Sequence, residues 1–281
     1  MMELKTISAN GQELAYYECG QGSLVICLHG FPDTADTWAD LLPALAERGF
    51  RAVAPFLRGY PPSGLASDGD YHIVSVARDV LSLIGALGVE RASLVGHDWG
   101  AFAAYTAANL APQSIEKMIT LAIPHLRALR PTPQLFWRTR HFVAFQLPGA
   151  ADRLRKNNFA AIDALYRRWS PNWKFSENDL APVKRCFAQN GAVEAALGYY
   201  RAYVRDALKP AVQRLVREKT LVPTLSVFGD RDGALAASDF KNAAAAFIAR
   251  YEELPVAGAG HFVHREAPEK FIAATLKFLT S

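Results

Sequence analysis

Cysteine is scarce in this chain of 281 residues: Cys19, Cys27 and Cys186 are the only three. Their positions match no thiolate metal spacing, and Cys27, inside an apolar run, reads as a buried free thiol. No uninterrupted apolar run of about eighteen residues occurs, so no membrane span is expected. The start, MMELKTISANGQ, lacks a basic segment followed by an apolar run, and a cytoplasmic protein without a cleaved signal is expected. Internal repeats and low-complexity tracts are absent. So are the phosphate-loop and dinucleotide glycine fingerprints, and no cluster has metal-ligand spacing, so neither cofactor nor metal is expected.

Net charge is only +4, yet it is unevenly spread. Residues 127–219 hold 18 Lys or Arg against 7 Asp or Glu, and the remainder holds 13 against 20. The cations stand singly between apolar residues, as in RLRKNNFAAIDALYRRW, which fits a solvated helical face rather than a nucleic-acid surface. With 51% hydrophobic residues, the chain suits one large α/β domain or a domain carrying an insertion.

What is present is an alternation of strands and helices. LKTIS and ELAYYEC flank Asn10-Gly11, a hairpin signal. SLVICLHG, FRAVAPF, ASLVGHD and EKMITLAIP read as strands, with helical patterns at 36–48, 73–88 and from 101 between them. The alternation stops near Pro124 and resumes with TLVPTLSVFGD, a helix around 238–249, the strand YEELPV and a last helix from 267. This predicts a mostly parallel, doubly wound sheet. Its core comprises residues 1–127 and 219–281, with a helical cap at 128–218 over the carboxyl ends of the strands, where ligands of such sheets bind.

Three chemical features fall at predicted strand ends: Asp98 after ASLVGH, Asp232 in the loop after TLSVFG, and His261 after YEELPVAGAG. Nucleophile, acid and histidine in that order fit a hydrolase in which G96-H97-D98-W99-G100 replaces G-x-S-x-G. The chain resembles the α/β-hydrolase-fold epoxide hydrolases over nearly its whole length. The resemblance is carried by HGFPD (29–33), LRGYPPS (57–63), VGHDWGAFAAY (95–105), TLAIPH (120–125), YYRA (199–202), GDRD (229–232) and GHFVHREAPE (260–269).

The chemistry accounts for the aspartate. Opening a C–O bond at saturated carbon needs an anion placed in line, and a carboxylate is already ionised at neutral pH. The resulting alkyl ester has a carbonyl that a water activated by His261 can attack, with Asp232 orienting the imidazole. Asp230 is the rival acid; the family's G-x-x-D pattern favours Asp232. The backbone N–H groups of Phe31 and Trp99 are expected to receive the oxyanion. The resemblance also implies a cis bond before Pro32. His29 and His125 read as structural, and His72, His97 and His264 as surface or packing residues.

An epoxide oxygen leaves as an alkoxide and needs hydrogen-bond donors, which the family supplies as two cap tyrosines. The YYRA stretch points to Tyr200; periodicity alone does not separate it from Tyr199 and Tyr203. Aligning FQLPG (145–149) with the family puts His141 where a tyrosine is usual, resembling a minority His/Tyr branch. Trp137, His141 and Phe145, spaced by four, are expected on one helical stripe facing the cleft, with Phe31 and Trp99 as further lining. The expected substrate is therefore a small apolar epoxide, with water, giving a vicinal diol. A haloalkane dehalogenase shares nucleophile, base and fold, but Phe31 stands where such enzymes often place a side-chain halide donor. Trp99 stands where fluoroacetate dehalogenases usually carry Arg. A non-catalytic ligand-binding protein of the same fold would not need all three catalytic features.

Overall fold

The computed structural model describes residues 3–281. Asn10 and Gly11 both adopt positive φ, 51° and 71°, as a tight two-residue hairpin turn requires. They join β1 (Glu3–Ala9) to β2 (Gln12–Cys19) with Ala9 opposite Gln12. The remaining strands are β3 (Ser23–Leu28), β4 (Phe50–Pro55), β5 (Ala92–His97), β6 (Ile115–Leu121), β7 (Thr224–Gly229) and β8 (Tyr251–Val256). All eight form one sheet in the order β1-β2-β4-β3-β5-β6-β7-β8. Only β1–β2 and β2–β4 pair antiparallel; β4 to β8 run parallel. The central strands are continuous apolar runs because helices cover both faces, and every residue of β5 and β7 is buried.

The core helices are α1 (Leu41–Glu47), α2 (Ile73–Ala86) and α3 (Trp99–Leu110). Six helices then separate β6 from β7: α4 (Pro133–Arg138), α5 (His141–Ala144), α6 (Ala150–Trp169), α7 (Glu177–Phe187), α8 (Ala192–Asp206) and α9 (Pro210–Val216). Short α10 (Val263–Glu266) and α11 (Pro268–Thr280) close the chain. Among the described residues no helix is long and apolar enough to cross a membrane.

Two expectations fail locally. The helix expected around 238–249 is a pair of 3-10 turns, Ala237–Phe240 and Ala243–Ala246. Thr220 instead bridges Phe247 as a short parallel pair, its N–H donating to Ala246 O and its carbonyl accepting from Ile248 N. Tertiary pairing overrides the helix propensity of the alanines there. The aromatic stripe also breaks: α4 ends at Arg138 and α5 begins at His141, so Trp137 turns outward. It is 68% exposed under the Arg140 guanidinium, and it does not line the cleft.

Candidate active site

Strand β3 lies where the winding reverses, with β4 on one side and β5 on the other, so a crevice opens at their carboxyl ends. Asp98 sits there, between β5 and α3, at φ 51° and ψ −119°. A non-glycine residue held in that region costs about 1–3 kcal/mol, a strain its neighbours must sustain. Asp98 N donates to Leu121 O, and Asp98 O accepts from Phe102 N. Gly30 permits the close approach of the facing turn, because a Cβ there would lie 2.4 Å from the Asp98 Cβ. Phe31 N–H consequently donates to Asp98 Oδ1 at 2.8 Å. The Phe31–Pro32 bond is cis. Trp99 opens α3, where the first backbone N–H groups have no intrahelical partner.

His261 Nε2 faces Asp98 Oδ2 at 3.6 Å, and its Nδ1 lies 2.8 Å from Asp232 Oδ2. The other oxygen of Asp232 accepts from Ala234 N and Leu235 N, which fixes the carboxylate. Asp230, the rival, points elsewhere: it accepts from Gly258 N at 2.8 Å. Burial opposes charge on the His261 imidazole, but Asp232 and then Asp98 outweigh it, and its pKa is raised. His261 is 1% exposed and the Asp98 side chain 13%, so little of either group meets solvent.

Helices α5 and α8 bring further side chains to the site. Tyr200 packs edge-on against Phe31, Trp99, Phe142 and Phe145. Burial first, then the Asp98 charge, holds its hydroxyl pKa well above the usual tyrosine range, so it remains an O–H donor. Tyr199 points away and donates to Arg58 O, and Tyr203 packs on Trp99 and Phe102. The helical turn thus separates three tyrosines that periodicity could not rank. The His141 ring lies 5.6 Å from Tyr200 and 4.9 Å from Trp169, with Phe145 also against it. Burial, then the Arg168 charge, lowers its pKa to about 3.

The remaining histidines hold structure. His29 Nδ1 donates to Gly30 O while Nε2 accepts from Leu57 N, and His125 Nδ1 accepts from Arg127 N. His72 pairs with Asp206 at 2.6 Å. Asp33, His97 and His264 come together in the core with possible ligand atoms within 4.8 Å of one another, a grouping that their distance in sequence concealed. Hydrogen bonds already engage Nε2 of both histidines, to His261 O and Thr37 Oγ1.

Sequence reasoning passed over the end of α6. Tyr166 donates to Pro32 O, Trp169 O accepts from His261 N, and Ser170 Oγ also receives that N–H. No local pattern marks these residues, because their partners lie far along the chain. An open cavity of about 270 Å³ lies elsewhere, beside the Arg138–Asp239 ion pair.

Comparison with known proteins agrees with this geometry. A family model described as alpha/beta hydrolase fold matches residues 23–268. An AB hydrolase superfamily protein of Bacillus subtilis, YfhM, is 30% identical over 243 residues, 82% of either chain. Epoxide hydrolase A of Mycobacterium tuberculosis is 29% identical over 315 residues, covering 98% of this chain and 97% of its own. Among solved structures, an epoxide hydrolase from Vigna radiata superposes with a TM-score of 0.83 at 27% identity, covering 99% of this chain and 98% of that one. The Bacillus megaterium epoxide hydrolase in complex with an inhibitor gives 0.86 at 25%, covering 99% and 100%. The chain belongs to the α/β-hydrolase fold family and, within it, resembles the epoxide hydrolases.

Proposed function

We propose that this protein adds water to a small apolar epoxide to give a vicinal diol. The observation that carries the reading is a strained Asp98 facing His261, with Tyr200 packed on Phe31 and Trp99 and His141 packed on Tyr200; the reading takes these two as the lid donors. Asp98 Oδ2, the oxygen not held by Phe31 N–H, attacks an epoxide carbon. The C–O bond breaks, and the departing oxygen takes a proton from Tyr200 while the neutral N–H of His141 hydrogen-bonds to it. The alkyl ester removes the negative charge facing His261, so the imidazolium gives up its proton, which restores the Tyr200 hydroxyl, and the neutral imidazole serves as base. A water gives its proton to His261 and attacks the ester carbonyl. The oxyanion forms against Phe31 N–H and Trp99 N–H, an arrangement in which each donor is worth roughly 3–4 kcal/mol. Collapse breaks the acyl C–O bond, the departing diol oxygen takes the proton held by His261, and the new Asp98 carboxylic acid ionises, its proton returning to His261. Residues 128–218 serve as the cap that excludes bulk water, and the reaction needs no cofactor or metal.

The test is turnover of styrene oxide in water enriched in oxygen-18. With enzyme in excess and a single turnover, the diol carries little label, because its new oxygen comes from Asp98; label enters in later turnovers. Diol fully labelled in the first turnover excludes the ester. A second reading, a haloalkane dehalogenase, draws on the buried indole of Trp99 beside Asp98, whose N–H suits a halide. Bromide release from epibromohydrin without ring opening of styrene oxide selects it.

A further inference from the structure

The carboxyl end of α6 reaches both sides of the site. Through Trp169 and Ser170 it holds the backbone of His261. Through Arg168 it reaches the lid: Nη2 lies 3.3 Å from His141 Nδ1. Arg168 stands in the last turn of α6, where the helix dipole favours a cation, and its Nε is buried without an acceptor.

A guanidinium only donates. If Nη2–H is shared with His141 Nδ1, that nitrogen contributes its lone pair, and the single proton of the neutral ring belongs on Nε2. A tyrosine at this position donates its O–H whatever its neighbours are. A histidine donates from a given nitrogen in one tautomer only, so replacing tyrosine with histidine creates a need for a neighbour that chooses the tautomer. We propose that Arg168 is that positioning residue, fixing His141 as the neutral Nε2–H donor of the lid. The inference rests on the epoxide reading of the site. The charged and titratable groups around the ring are Arg168 on α6, Arg140 before α5, His261 after β8 and Tyr200 on α8. Burial and the nearby cations all oppose an imidazolium, so the donor is neutral over the working pH range. The competing arrangement has Nδ1–H donating to the Arg138 carbonyl, which also lies against the ring.

The experiment combines nitrogen-15 NMR of histidine-labelled protein with the single-turnover rate of ester formation. In the native protein at pH 7, His141 is expected to show an unprotonated Nδ1 and a protonated Nε2. Arg168→Met should mix or invert the tautomers and slow ester formation about tenfold. Arg168→Lys, which keeps a cationic donor, should retain most of both. Adding His141→Tyr to Arg168→Met should recover the rate, since a phenol needs no tautomer choice. A proton on Nδ1 in the native protein overturns the inference. So does a tautomer unchanged in Arg168→Met, or a double variant as slow as the single one. If native protein opens no epoxide, the reading of the site fails, while the tautomer measurement still decides the part played by Arg168.

Discussion

Asp232 at 2.8 Å and Asp98 at 3.6 Å raise the pKa of His261 in the resting protein, and in the proposed mechanism it acts as a base only after Asp98 loses its charge. Asp98→Asn imitates that loss without changing the side-chain size. His261 is expected to titrate at a lower pH in Asp98→Asn than in the native protein, followed by nitrogen-15 shifts across pH 5 to 10. An unchanged titration would mean that Asp232 alone sets the value and that ester formation does not tune the base. The residues on this axis were legible in the sequence because nucleophile, acid and histidine follow three strands in that order, although an aspartate in a turn is ordinary by itself. Arg168 was not legible: an arginine at a helix end has an ordinary explanation in the helix dipole, and only the fold brings it to His141.

At the scale of elements, the elbow and the surface helix place opposite demands on glycine. Gly100 lies in the first turn of α3 against β3, and a Cβ there would lie 2.1 Å from Leu28 O. Gly100→Ala must push backbone from backbone and is expected to cost several kcal/mol, or to prevent folding. Gly85, near the end of α2, has nothing within 4 Å of such a Cβ. Gly85→Ala is expected to stabilise by about 0.5–1 kcal/mol through helix propensity and a less disordered unfolded chain. Chemical denaturation of the two variants checks both, and destabilisation by Gly85→Ala would contradict the open helical environment. The elements themselves were read well where a periodic run met no competing partner, as in α2 and β5. They were misread where long-range contacts decided. The alanines near 243–246 yield to the Thr220–Phe247 pairing, and the four-residue spacing of Trp137, His141 and Phe145 does not survive the break after Arg138.

At the scale of the whole molecule, the buried groups that govern acid stability are imidazoles held neutral. His29, His97, His125, His141 and His264 all have lowered pKa values, with burial the first cause in each. Unfolded, each titrates near 6.5. As pH falls below that value the unfolded chain binds protons that the folded one refuses, so stability falls with falling pH. Each such group contributes a slope of up to about 1.4 kcal/mol per pH unit until its folded value is reached. His261 has the opposite sign: its raised value adds stability below about 6.5 that fades as pH rises through the folded value. Acid loss should therefore begin near pH 6.5, well above the range where carboxylates titrate. Urea unfolding at intervals from pH 7.5 to 4.5 is expected to show it, with a net uptake of more than one proton per molecule unfolded at pH 5. His141→Phe keeps the aromatic packing around Tyr200 and Trp169 while removing one titrating group. It should flatten the slope between pH 6 and 4 by up to about 1.4 kcal/mol per unit. An unaltered slope in that variant would mean that His141 accepts its proton inside the folded protein, and the neutral lid donor would go with it.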